Sequence, residues 1–215
     1  MDRFDRRRQA LAISLAGLSG FVDATGFLSA DRYFVSFMSG NTTRLGVELA
    51  QDWRHAATPV LLIAGFVVGV AAGSVMAVRS GRWRKPAVLL LVTGLLLCAA
   101  LTAPAGLHAT ALAMMVLAMG ALNNTFQRNG QIAVGLTYMT GALVRLGQAI
   151  GATFAGERQD GWQGYLMLWL GLASGAVLGA LAFRNMTDAC LWIAFAASLT
   201  LASVAWNLAR RENQL

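Results

Sequence analysis

The sequence predicts an all-α polytopic membrane protein: six transmembrane helices forming two inverted three-helix repeats, each with a re-entrant half-helix preceded by a short extended segment. Three observations lead there. The 215-residue chain is 57% hydrophobic and only 13% charged, where a soluble domain carries about 25% charged residues. Six stretches approach the ~20 apolar residues needed to cross the hydrocarbon of a bilayer. A motif also recurs at an offset of 101 residues.

The six apolar stretches are Ala10 to Leu28, Ala57 to Val78, Pro86 to Ala103, Leu107 to Phe126, Trp162 to Phe183 and Ala189 to Leu208. The first follows a basic start (Arg3, Arg6, Arg7, Arg8), as a secretory signal peptide would. Further long apolar segments follow it, so it reads as an uncleaved first span. Two segments of mixed polarity remain, Phe34 to Ala50 and Gly135 to Ala155, too polar to face lipid along their whole length. Abundant glycine (23) and scarce proline (3) suit closely packed membrane helices.

Charge sets the orientation. The net charge of +7 would suit nucleic acid if it formed one patch, but the basic residues lie in short clusters between apolar runs. If the two mixed segments do not cross, 13 basic residues fall on one side and four (Arg32, Arg44, Arg54, Arg184) on the other. If both crossed, the distribution would be nearly balanced. The excess of Lys and Arg in cytoplasmic loops therefore favours six spans with both termini cytoplasmic, in one membrane domain over residues 1–215.

At the 101-residue offset, Ser36-Phe37-Met38-Ser39-Gly40 falls on Thr137-Tyr138-Met139-Thr140-Gly141, and Arg44-Leu45-Gly46 on Arg145-Leu146-Gly147. The spans coincide at the same offset, which divides the chain into a first repeat, 10–103, and a second, 107–208. An odd number of spans per copy makes the second enter the membrane from the opposite side. The competing reading is that small residues recur because all membrane helices use them.

In each copy an extended stretch precedes a helix start at Ser39-Gly40-Asn41-Thr42-Thr43 or Thr140-Gly141. Small hydroxyl and amide side chains cap free backbone N–H groups, and irregular backbone at membrane depth must face protein or a watery cavity. Two half-helix N-termini aimed at the midplane would offer partial positive charge to an anion or carboxylate. Arg44 and Arg145 lie one turn further on; Asp23 is the expected partner of Arg44, and Asn124 stands at the corresponding place opposite Arg145. Both arginines could equally brace the half-helices, and Asp23 could bind a proton or cation. The amide-rich run from Asn123 to Asn129 could line a polar cavity. Trp53, Trp83 and Trp162 read as interfacial anchors, and Cys98 and Cys190 as packing residues without a metal motif.

No paired-carboxylate, zinc-protease, nucleophile-elbow or phosphate-loop signature is present, and His55 and His108 stand alone beside predicted external loops. No cofactor, metal ligand or catalytic residue is expected, and an enzyme is a distant alternative.

Gly20-Phe21-Val22-Asp23-Ala24, with Phe34-Val35-Ser36-Phe37-Met38-Ser39-Gly40-Asn41-Thr42-Thr43-Arg44-Leu45-Gly46 downstream, closely resembles the YoaK-like family of bacterial inner-membrane proteins. The resemblance runs over nearly the whole chain. It implies a multi-pass inner-membrane location and supplies neither substrate nor catalytic residue. In architecture, an extended stretch and half-helix in each inverted repeat is also similar to the uracil and sulfate transporter type of fold. Those proteins have seven spans per repeat, so the analogy concerns the site and not the transport machinery.

The leading expectation is a small secondary transporter or channel for an anionic or carboxylate-bearing solute. The candidate binding residues are Asp23, Ser39, Gly40, Asn41, Thr42, Thr43, Arg44, Asn124, Thr140, Gly141 and Arg145. A cation or neutral-solute pathway using Asp23, and a non-transporting subunit or sensor, are the alternatives. Expected partners are the lipid bilayer, the small solute and a second copy in a homodimer; nucleic acid is not expected.

Overall fold

A computed structural model of the chain describes residues 6–128, 131–132, 136, 139–157, 161–187 and 189–211. Eight α-helices make up nearly all of it: α1 (Arg6–Ser29), α2 (Met38–Gln51), α3 (Ala57–Arg79), α4 (Arg84–Thr102), α5 (His108–Leu122), α6 (Met139–Phe154), α7 (Trp162–Asn185) and α8 (Cys190–Arg211). One small hairpin is added, in which β1 (Gln127–Arg128) pairs antiparallel with β2 (Gln131–Ile132).

The helix limits follow from local chemistry. Pro59 and Pro86 each occupy the first turn of a helix, where the missing N–H has no intrahelical partner to lose. Gly106 and Gly161 take positive φ where the chain turns into α5 and α7. Asp31 and Arg32, both at positive φ, end α1. Two basic residues, Arg210 and Arg211, close α8, where the helix dipole favours cations.

Helices α1, α3, α4, α7 and α8, of which α3 and α4 are counted with the short turns that precede them, are long and apolar enough to cross a bilayer. The predicted fourth span, Leu107 to Phe126, is helical only over the 15 residues of α5. It stops where amides take over. Asn123 donates to the Met119 carbonyl at 3.0 Å and Thr125 to the Leu122 carbonyl at 2.8 Å, each satisfying an acceptor left open at the helix end. Helix α5 packs against α3 and α4, and residues Ala118–Leu122 are buried, so protein rather than lipid covers this short element.

In lipid the hydrophobic effect does not drive helices together, and close backbone approach takes over. α1 lies along α7, α3 along α5 and α4 along α8. At the first crossing a Cβ on Gly175 would collide with the carbonyl of Gly17, and at the second a Cβ on Gly120 would collide with that of Phe66. Only glycine permits these contacts. The α4–α8 contact is tied by a buried hydrogen bond between Thr93 and Ser198 hydroxyls at 2.8 Å. Bulky apolar residues face outward, among them Leu61, Val67 and Val78 on α3 and Val177 and Leu178 on α7. That is the surface of a multi-pass protein in contact with lipid. Cys190 is buried, whereas Cys98 faces out from α4.

Candidate functional site

The chain turns back on itself after α1. Asp23 sits six residues before the end of that helix, about 9 Å along its axis. Its Oδ1 accepts the backbone amides of Val35 and Ser36 at 2.9 and 2.8 Å. Residues 33–36 therefore descend alongside α1 before α2 starts. The side-chain amide of Asn41, fully buried, grips Phe34 from the other side, its nitrogen donating to the Phe34 carbonyl at 2.7 Å and its oxygen accepting the Phe34 N–H at 3.0 Å. Gly40 lies under the rings of Phe34 and Phe37, where a Cβ would come within 2.9 and 2.6 Å of them.

Two sequence expectations are corrected here. Thr42 and Thr43 do not cap α2; their hydroxyls donate to the carbonyls of Met38 and Ser39 within the helix. The first residue before the helix, Phe37, makes no side-chain cap either. The Asp23 carboxyl, brought from α1, instead holds the extended segment just before the helix, through the amides of Val35 and Ser36. Nor does Asp23 pair with Arg44. The Arg44 guanidinium donates to the carbonyls of Asp31 (3.0 Å) and Arg32 and lies 3.9 Å over the Tyr33 ring. Those are the residues at positive φ, a conformation that costs roughly 1–3 kcal/mol for a non-glycine residue. Arg44 offsets that strain.

In the second half, Asn124 is buried and donates to the Val70 carbonyl of α3 at 2.9 Å. Arg145 is exposed with its guanidinium 5.0 Å from the Tyr165 ring centre. Thr140 is exposed and Gly141 half-buried at the start of α6, as are Ser39 (exposed) and Gly40 (half-buried) at α2. α2 packs on α3 and α6 on α7, and the two do not meet among the described residues. Thr137, Tyr138 and most of the predicted extended stretch at 132–136 lie outside the described residues, as does Asn129.

Sequence reasoning missed what the α1–α2 turn builds with its neighbours. A cleft of about 490 Å³ opens there, lined by Asp31, Tyr33, Arg44, Glu48, Gln51, Asp52, His55, Thr58 and His108, with Ser29, Ala30, Ala109 and Leu112. Tyr33 donates to Glu48 Oε1 at 2.5 Å, and Oε2 of the same carboxylate is buried without a hydrogen-bond partner among the described residues. Burial, reinforced by the Glu48 carboxylate, pushes the Tyr33 phenol up to about 12, so it stays protonated and donating at neutral pH. Asp52 accepts the Arg54 amide at 3.2 Å and faces His55 Nδ1 at 3.3 Å. The two histidines, far apart in sequence, share this cleft because α3 and α5 both begin at this end. The readable signal was Arg44 and Glu48, one turn apart on α2. A second cavity of about 260 Å³ shares Ser29 and His108 with the cleft and extends to Thr25, Ala111 and Met115.

The family described as "Protein of unknown function (DUF1275)" matches residues 11–204. A UPF0700 transmembrane protein of Rhizobium meliloti is 40% identical over 211 residues, 96% of this chain and 91% of that protein. No solved structure matches the chain. These findings agree with the bacterial membrane family that the Gly20–Ala24 and Phe34–Gly46 motifs implied.

Proposed function

The chain belongs to the DUF1275 family, and from that premise we propose that it is a small secondary transporter or channel of the bacterial inner membrane, with both termini cytoplasmic. It is built from two inverted three-span repeats, each holding one re-entrant half-helix, α2 or α6. Exchange of the halves turns the α1–α7 contact into α5–α3 and the α2–α3 contact into α6–α7, and leaves α4–α8 in place; this symmetry of packing supports the repeat.

The single observation that carries a transport reading is the polar cleft among the helix ends, which shares Ser29 and His108 with a neighbouring cavity. A polar concavity among membrane helices is a default binding site. Its lining favours a solute bearing a positive group. Three carboxylates (Asp31, Glu48, Asp52) stand against one arginine, whose guanidinium is engaged with the turn, and one Glu48 oxygen lacks a donor among the described residues. Hydrogen bonding between cleft and solute would supply that donor.

An anionic or carboxylate-bearing solute between the half-helix starts is the second reading. It is favoured by charge in the second half, where the neutral Asn124 stands at the place of the Asp23 carboxyl. Currents from purified protein on a solid-supported membrane, after pulses of methylammonium, alanine or acetate, separate the two. We expect methylammonium or alanine to give a current that Glu48→Gln abolishes. An acetate current insensitive to Glu48→Gln and lost in Arg145→Ala would establish the second reading. Silence with all three probes, from protein that remains folded, overturns both and favours a non-transporting subunit.

A further inference from the structure

The opposite end of the bundle carries a different concavity. The start of α1, the tight turn between α3 and α4, and the end of α8 enclose about 280 Å³, lined by Arg8, Gly81, Arg82, Arg84, Lys85, Ala205, Leu208 and Ala209. Among the described residues that line it, four of eight are cationic and none is acidic. A cavity below the usual range of about 300–1,000 Å³ for small-molecule sites is the size of a head group.

We propose that this cavity binds the phosphodiester head group of an anionic phospholipid. The fold converges charge that orientation alone would leave scattered. A topological signal requires only that cations flank the spans on one side, whereas here Gly81 at positive φ turns the chain so that Arg82, Arg84 and Lys85 meet Arg8 from another helix. Beside the cavity Trp83 and Trp206 stack with ring centres 4.7 Å apart, and Arg82 and Arg210 lie 5.7 and 5.5 Å from those rings. Paired indoles at a helix end mark the head-group level of a bilayer. Ala205 and Leu208 give the cavity an apolar side, and Val204 on the same helix is exposed, so that an acyl chain would lie along α8. Basic pockets between membrane helices suit such head groups. The site requires only that the helices cross a bilayer and does not depend on transport.

A phosphate group could also come from a soluble ion, and the test separates the sources. Delipidated protein in neutral detergent is titrated with phosphatidylglycerol, phosphatidylcholine or sodium phosphate, and bound lipid is counted by native mass spectrometry. Phosphatidylglycerol should be retained in preference to phosphatidylcholine. Each cation near an anionic lipid surface contributes a factor of about five, so R82Q/R84Q should weaken its binding roughly 25-fold. R54Q/R184Q, which removes the same charge at the other end, should leave it unchanged. If R82Q/R84Q does not fold, R8Q/K85Q replaces it. Equal retention of both lipids, equal losses in the two double variants, or displacement of phosphatidylglycerol by sodium phosphate at millimolar concentration overturns the assignment.

Discussion

In α1 the carboxylate of Asp23 accepts the amides of Val35 and Ser36, whereas 101 residues later the amide of Asn124 donates to the Val70 carbonyl of α3. An ionised carboxylate can only accept, whereas an amide also donates, and through its nitrogen Asn124 is tied to a neighbouring helix. The carboxyl takes N–H groups of a chain not yet helical, whereas the amide nitrogen reaches a carbonyl of a neighbouring helix. The first half therefore fixes its own extended segment, while the described part of the second fixes α5 to α3. Arg44 and Arg145 differ as well, the first bonded to two carbonyls and an aromatic ring, the second resting, among the described residues, on a ring.

That contrast can be broken by substitution. Asp23→Ala orphans two amides at about 1–3 kcal/mol each, so thermal unfolding in detergent should show a loss of about 2–6 kcal/mol. Asp23→Asn, whose oxygen still accepts, should lose much less, and Asn124→Ala should fall between; equal losses in the two alanine variants would dissolve the distinction. Next in size, Asn41→Ala removes both partners of Phe34 and should cost about 2–4 kcal/mol by the same measurement, with faster proteolysis between Tyr33 and Phe37.

The arginines give a smaller difference. Arg44→Ala should destabilise by about 1–3 kcal/mol, the range of hydrogen bonds to charged groups, and Arg145→Ala by less than about 1 kcal/mol, the scale of an exposed cation–π contact. A pH-dependent test concerns the Tyr33–Glu48 bond. With the phenol held at about 12 against about 10 when unfolded, its stabilisation is complete below pH 10 and fades as pH rises towards 12. The stability gap between the wild type and Tyr33→Phe should therefore stay constant from pH 7 to about 10 and close above it.

The spans were legible because length and apolar content act locally: Ala57 to Val78 became α3 (Ala57–Arg79), and Trp162 to Phe183 became α7 (Trp162–Asn185). The mixed segment Phe34 to Ala50 became α2 (Met38–Gln51) for the same reason, its helix beginning where the small polar run starts. The site was legible only in its ingredients. Asp23, Asn41 and Arg44 were singled out as polar residues at membrane depth, which lipid does not tolerate without a reason. Their partners were not readable, because each bonds backbone groups, and backbone carries no sequence signal.

By itself, then, the sequence determined that this is a multi-pass membrane protein, where its helices begin and end within a few residues, and which polar residues had to be satisfied inside it. Tertiary structure alone decided how: that Asp23 takes amides and leaves Arg44 to the turn, that Glu48, His55 and His108 meet in one cleft, and that Arg8 joins Arg82, Arg84 and Lys85 in another. The physical reason is range. Hydrophobic length is a property of neighbours in the chain, whereas a hydrogen bond or a convergence of charge needs groups from separate helices, brought together by glycine crossings such as Gly17 on Gly175.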